Sequence, residues 1–163
     1  MVKGNVYRKN VAAIIINKDK KVLMCEHIWI DNAWQFPQGG IEKKEDPKDS
    51  ILREIEEEIG LKNIKIIDKM PENLIYTFPF YLREKFDFDG QDQIFFLIYF
   101  YGNDSEIRFD NQEKPEFKSF KWVEYNQPPK EVVYFKKISY FKALEYFKEQ
   151  VEKLDLKKLD LKK

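Results

Sequence analysis

Histidine and cysteine are almost missing from this sequence: His27 and Cys25 are the only ones in 163 residues. That excludes a zinc centre of His and Cys ligands and any disulfide framework, and it leaves a serine–histidine nucleophile to His27 alone. Net charge is missing too, because 29 Lys+Arg face 29 Asp+Glu. A uniformly basic coat for nucleic acid is thereby excluded, and any recognition of phosphate has to be local. No apolar run approaches the roughly 18 residues of a membrane span. The first such run, residues 11–16, is also too short for the apolar part of a leader. With Cys25 unpaired, the expected setting is the cytoplasm, with no membrane as partner. What the chain does have is 43% hydrophobic and 16% aromatic residues, enough for one core, so one domain over 1–163 is expected.

Strand and helix signals alternate without a linker. Residues 11–16 and 22–25 are apolar runs joined by Asn17-Lys18-Asp19-Lys20, which predicts a hairpin. Trp34-Gln35-Phe36 predicts a short extended piece before a turn at Pro37-Gln38-Gly39-Gly40. A helix is predicted over 47–59, with Asp46 as N-cap, Pro47 at the first helical position and Gly60 as the stop. Further strands are predicted over 64–67, 74–78, 94–101 and 117–123, in a mixed sheet. A last helix is predicted over 139–154, where Tyr140, Phe141, Leu144, Phe147, Val151 and Leu154 recur at helical spacing. The tail, about 155–163, repeats the preceding Leu-Asp-Leu-Lys-Lys and is expected to be frayed.

The predicted helix over 47–59 carries Glu54, Glu57 and Glu58 one turn apart. At about 100° per residue they share one arc, while Ile51, Leu52, Ile55 and Ile59 share the core-facing one. Carboxylates at this spacing repel one another unless a cation lies among them. Two readings stand at this level: a solvated acidic face, or a site for a hard divalent cation with oxygen ligands.

The wider context separates them. Gly39-x5-Glu45-x7-Arg53-Glu54-Ile55-x-Glu57-Glu58-x-Gly60-Leu61 matches every position of the Nudix box, G-x5-E-x7-R-E-U-x-E-E-x-G-U with U aliphatic. At average residue usage a chance match is on the order of one in a million. The chain therefore resembles the Nudix hydrolases, which cleave a nucleoside diphosphate linked to another moiety with Mg2+ or Mn2+ on an α/β/α sandwich. The resemblance implies an α/β fold of that type with a mixed central sheet. It makes Glu54, Glu57 and Glu58 metal ligands, one of them a candidate for taking the proton of the attacking water. Arg53 is expected to hold Glu45 in a charge-assisted pair that pins the loop to the helix.

The likeness extends over residues 7–147 and is specific to a subgroup. Trp34-Gln35-Phe36-Pro37-Gln38-Gly39-Gly40-Ile41, Tyr7-Arg8-x-Asn10-Val11, Gly90-Gln91-x-Gln93, Pro115-Glu116-Phe117 and Val133-x-Phe135-Lys136 are similar to segments of bacterial RNA pyrophosphohydrolases and dinucleoside polyphosphate hydrolases. Carried over, Glu116 becomes a further metal ligand, and Gln38 or Gly39 lends a backbone carbonyl. Arg8, Gln93 and Lys136 become contacts to phosphate or base. Val133 and Phe135 become the walls that stack the first base. His27 stands where relatives carry an arginine beside the base, and Asp92 replaces a lysine of a loop expected near the phosphates. The resemblance implies Mg2+ or Mn2+, two or more ions with substrate bound. Its leading substrate is 5′-triphosphate or 5′-diphosphate RNA, converted to 5′-monophosphate RNA. A dinucleoside polyphosphate is the second reading, and a non-catalytic module that binds nucleotide or RNA is the third. No stable protein partner is inferable.

Overall fold

Ten consecutive residues, Tyr7–Ile16, form the strand on which the fold is built. The computed structural model describes residues 6–161. In chain order the elements are β1 (Tyr7–Ile16), β2 (Val22–His27), β3 (Trp34–Gln35), β4 (Gln38–Gly40), α1 (Pro47–Ile59), β5 (Ile64–Lys69), β6 (Leu74–Thr77), α2 (Phe80–Arg83), β7 (Gly90–Phe100), β8 (Phe117–Val123), α3 (Pro128–Glu131), α4 (Lys137–Lys153) and α5 (Leu156–Leu161). The strands make an eight-stranded sheet in the order β3-β2-β1-β7-β5, with β4 on β1, β6 on β7 and β8 on β2. β1 and β7 are parallel and the remaining pairs antiparallel, so the sheet is mixed.

Alternation along β1 and β7 divides the core in two. Ala12, Ile14, Ile16, Phe95, Leu97 and Tyr99 pack against Tyr140, Ala143, Leu144, Phe147 and Val151 of α4. Val11, Ala13, Ile15, Phe96, Ile98 and Phe100 pack against Ile51, Ile55 and Ile59 of α1. The result is an α/β/α sandwich whose central strands are apolar on both faces.

α1 begins and ends where its local signals place it. Asp46 accepts the Lys48 N–H at 2.8 Å, Pro47 opens the helix, and Gly60 closes it at φ 72°, a left-handed conformation that a side chain disfavours. Several expectations change. Leu52 is 39% exposed and Phe141 lies out in solvent, so neither belongs to the core. The expected turn over 37–40 contains β4, because Gln38, Gly39 and Gly40 pair with Ala12, Val11 and Asn10. β7 starts at Gly90 rather than 94, since its first residues are held between β1 and β6. Over Leu156–Leu161 the tail forms α5, in which Leu156 and Leu159 pack on the core and the Tyr99 hydroxyl donates to Asp160 at 2.9 Å. Residues 162 and 163 lie outside the described residues.

Candidate active site

The first half of the site is organised by Arg53. Its Nε and Nη2 donate to the two oxygens of Glu45, both at 2.9 Å, and Nη2 also donates to the Gly40 carbonyl at 3.1 Å. Nη1 donates to Glu54 at 2.8 Å and to Glu57 at 3.3 Å. One guanidinium thus ties the loop before α1, the end of β4 and two carboxylates of α1 together. Glu45 also accepts from the Ser50 hydroxyl at 2.5 Å. The Arg53 and Ser50 hydrogen bonds hold its carboxyl down at about 2.

Glu58 differs from its neighbours. It is 2% exposed, and among the described residues neither carboxylate oxygen accepts from an N–H or O–H donor; its polar neighbours are the carboxyls of Glu54 and Glu116. Burial, together with Glu116 and Glu54 beside it, pushes its pKa well above the usual carboxylate range. Burial likewise raises Glu54, against the pull of Arg53. Glu116 is brought to Glu58 from the segment ahead of β8, whose chain is pinned by the Ile28 N–H donating to the Glu116 carbonyl at 2.8 Å. Two oxygens without a donor in a cluster of like charges cost free energy that a bound cation removes. All the donors are hard oxygens, which suits a divalent ion of the magnesium type. The residues therefore fit a metal, although among the described residues no three of them are gathered as a ready cage. Glu57 is half exposed and turned toward Arg53.

The second half is a cavity of about 490 Å3 on the α4 side of the sheet. Arg8, His27, Gln38, Gln91 and Lys136 supply its polar wall, while Tyr76, Phe78, Phe86, Phe88, Val133 and Phe135 supply the apolar one. The aromatic rings brace each other: Phe135 lies 5.8 Å from Tyr76 and 6.0 Å from Phe78, centroid to centroid. Arg8 sits over the Phe88 ring at 5.7 Å. His27 accepts the Trp29 N–H through Nδ1 at 3.1 Å. Lys136 is buried, its ammonium 5.6 Å from the Tyr76 ring, and burial brings its pKa down to about 8.

The halves meet at three consecutive residues. Gln38 is in the cavity wall; a methyl on Gly39 would overlap the Glu54 carboxyl; a methyl on Gly40 would overlap the Arg8 guanidinium. The absent side chains are what let the backbone pass between carboxylates and cavity.

Two expectations are corrected. Gln93 does not face the cavity: it is wholly buried, and its Nε2 donates to Asn10 at 2.8 Å and to Gln38 at 2.9 Å. The neighbour on the same sheet face that reaches the cavity is Gln91. Asp92 is in β7 rather than a loop, and strand alternation puts it on the face of Ile94 and Phe96, away from the cavity. Sequence reasoning also missed the aromatic wall, whose only signal is the density of rings over residues 76–88.

The NUDIX domain family matches residues 6–143. The RNA pyrophosphohydrolase of Zymomonas mobilis subsp. mobilis is 42% identical over 137 residues, 80% of this chain and 88% of that protein. Nudix hydrolase 26, chloroplastic, of Arabidopsis thaliana is 40% identical over 139 residues, 80% of this chain and 64% of that protein, so this chain spans just under two thirds of its length. Among solved structures, the E. coli dihydroneopterin triphosphate pyrophosphohydrolase aligns with a TM-score of 0.69 at 20% identity, covering 88% of this chain and 97% of that one. At that identity the likeness speaks to the fold alone.

Proposed function

The chain belongs to the NUDIX domain family, and on that footing we propose that it is an RNA 5′-pyrophosphohydrolase, working in the cytoplasm and dependent on Mg2+ or Mn2+. The observation that carries the reading is the junction at residues 38–40, where carboxylates and a base-sized aromatic cavity share three residues of backbone. A polyphosphate chain lying across that junction would meet Arg8 and the ions that Glu54 and Glu58 would hold, with its base between Val133 and Phe135. The similarity to RNA pyrophosphohydrolases over most of both chains supports the RNA end as substrate.

Glu54, Glu57, Glu58 and Glu116 would hold the ions, with a backbone carbonyl of Gln38 or Gly39 beside them. Bound there, a divalent cation neutralises phosphate charge and makes a coordinated water more acidic. The residues of the chain do the rest. Arg53 holds Glu54 and Glu57 in fixed orientation, which limits the freedom the ligands lose when ions and substrate bind. Arg8 takes a phosphate oxygen, while Phe135 and Val133 hold the base by stacking. A carboxylate of α1 takes the proton of water as its oxygen bonds to phosphorus. The anhydride P–O bond breaks, and pyrophosphate or phosphate leaves a 5′-monophosphate RNA.

The test is release of pyrophosphate and phosphate from 5′-triphosphate RNA, 5′-diphosphate RNA and diadenosine tetraphosphate, with Mg2+, with Mn2+ and with EDTA. Metal-dependent turnover with the higher kcat/KM on RNA is expected. Preference for the dinucleotide at every RNA length would assign the protein to dinucleoside polyphosphates, and binding without turnover would make it a binding module.

A further inference from the structure

A second groove, of about 480 Å3, lies between α3 and α4 and belongs to neither half of the site. Lys137, Phe141, Leu144 and Lys148 of α4 line it at spacings of one helical turn, so they form one stripe of the helix, and Lys130 of α3 lines it from across. Leu144 is buried, but Phe141 is 57% exposed, and the ammonium groups of Lys130, Lys137 and Lys148 pair with no carboxylate among the described residues. One carboxylate, that of Glu145, is in the lining, near the Tyr125 hydroxyl. On a chain of zero net charge this is a local concentration of what binds single-stranded nucleic acid: cations for the phosphates and an open ring face for a base. The groove is also continuous with the site. The short segment between α3 and α4 gives Val133, Phe135 and Lys136 to the cavity, while Lys130 and Lys137, on either side of that segment, open on the groove.

We propose that this groove binds the single-stranded RNA downstream of the end that is hydrolysed, with Lys130, Lys137 and Lys148 on its phosphates and Phe141 stacked on one of its bases. The proposal rests on the RNA 5′-pyrophosphohydrolase reading above and adds to it a surface outside the cavity. A helix rises about 1.5 Å per residue, so Lys137 and Lys148 stand about 16 Å apart along α4, room for a few nucleotides with Phe141 between them. Stacking on one ring is indifferent to base identity, so the groove rewards the length of the strand and not its sequence. A dinucleoside polyphosphate has no such strand to offer. An acidic peptide would satisfy the lysines, but RNA is the polyanion that arrives already attached to the group held in the cavity.

The experiment is equilibrium binding, in EDTA so that it does not depend on turnover, of a 5′-triphosphate dinucleotide and of an unstructured 5′-triphosphate RNA of about twelve nucleotides, a length within the range of such grooves. At low salt wild type is expected to bind the longer RNA about tenfold or more tighter than the dinucleotide, a gain that fades as salt rises. Phe141→Ala should weaken binding of the longer RNA about fivefold or more, the lower end for one base stacked on a ring. Lys137→Ala and Lys148→Ala should each reduce the slope of log Kd against log salt by about 0.7, one phosphate contact on a single strand. Phe141 and Lys137 are exposed and Lys148 is half-buried, so melting temperatures should hold, and binding of the dinucleotide should not change. The proposal is overturned if wild type binds both RNAs equally, if the variants weaken both lengths alike, or if they keep the wild-type length dependence. Equal binding of both RNAs together with retention of polyglutamate would overturn it in favour of an acidic protein partner. Length-dependent binding by a protein that fails to hydrolyse triphosphate RNA would leave this inference standing and remove the proposed activity, so the two failures are distinguishable.

Discussion

Arg53 grips Glu45 with both sides of its guanidinium, Nε on Oε2 and Nη2 on Oε1, each at 2.9 Å. The pair joins the loop before α1 to the helix and leaves Nη1 for Glu54. Its grip explains why the Glu45 carboxyl falls from 4.5 to about 2. A carboxyl whose pKa is lowered on folding contributes stability that is complete above the unfolded value and lost as pH falls through the folded one. Wild type should therefore exceed Glu45→Gln in stability by a constant margin above pH 4.5, shrinking from there to about 2. Urea denaturation across that window checks it, and a margin that ignores pH would show that the pair is not ionic.

The metal site should be essential to turnover and unfavourable to the fold. Glu58→Gln should lower kcat by at least about a hundredfold, the scale of losing a ligand charge at such a site. In EDTA its melting temperature should rise, because an amide replaces a buried carboxyl crowded by those of Glu54 and Glu116. Glu57→Gln should cost similar activity with little change in melting temperature, since Glu57 is half exposed. Calorimetry with and without metal separates the two effects; near-normal rates in either variant would sink the metal assignment.

Gly39 and Gly40 should fail differently. In Gly39→Ala the new methyl displaces the Glu54 carboxyl, so kcat should fall while affinity for a nucleoside monophosphate stays. In Gly40→Ala it displaces the Arg8 guanidinium, so KM for the triphosphate should rise first. Steady-state kinetics on both variants checks the split.

Phe135 is half-buried and belongs to the cavity wall, with rings on one side and open space on the other. Phe135→Ala should weaken substrate binding by about 1–3 kcal/mol, the value of a base stacked on an aromatic ring. Its folding cost should stay below the roughly 3–5 kcal/mol of a truncated core phenylalanine. A thermal melt and a Michaelis curve on this variant are sufficient; a large loss of stability with unchanged KM would place Phe135 in the core.

Lys136 should make the fold more stable as pH rises. Burial lowers its pKa from 10.5 to about 8, so the unfolded chain binds the extra proton between those values. The cost of the buried charge is fully present below about pH 8 and is relieved toward 10.5. Lys136→Met should therefore be the more stable protein at neutral pH, with its advantage shrinking through that window, as denaturation at several pH values would show.

Some of this was legible along the chain alone. Asp46, Pro47 and Gly60 bound α1 because capping is a transaction between residues a few positions apart. The pairing of Glu45 with Arg53, which the resemblance implied, is also formed. The apolar runs of β1 and β7 announce a sheet covered on both faces.

Other features were decided only when distant segments met. Gln91 and Gln93 have the same residue type and share a sheet face, yet Gln38 and Asn10 take the Gln93 amide N–H groups while Gln91 opens on the cavity. Glu58 looks equal to Glu57 on a helical wheel, but Glu116 and the sheet close over it. Leu156 and Leu159 repeat a motif that reads as solvated until they and the Asp160 partner of Tyr99 dock on the core. The physical reason is common to all three. A residue's conformational preference and helical phase are local properties of the chain. Which polar group is covered, paired or left facing a cavity depends on surfaces supplied by segments far away in sequence, and those exist only in the folded molecule.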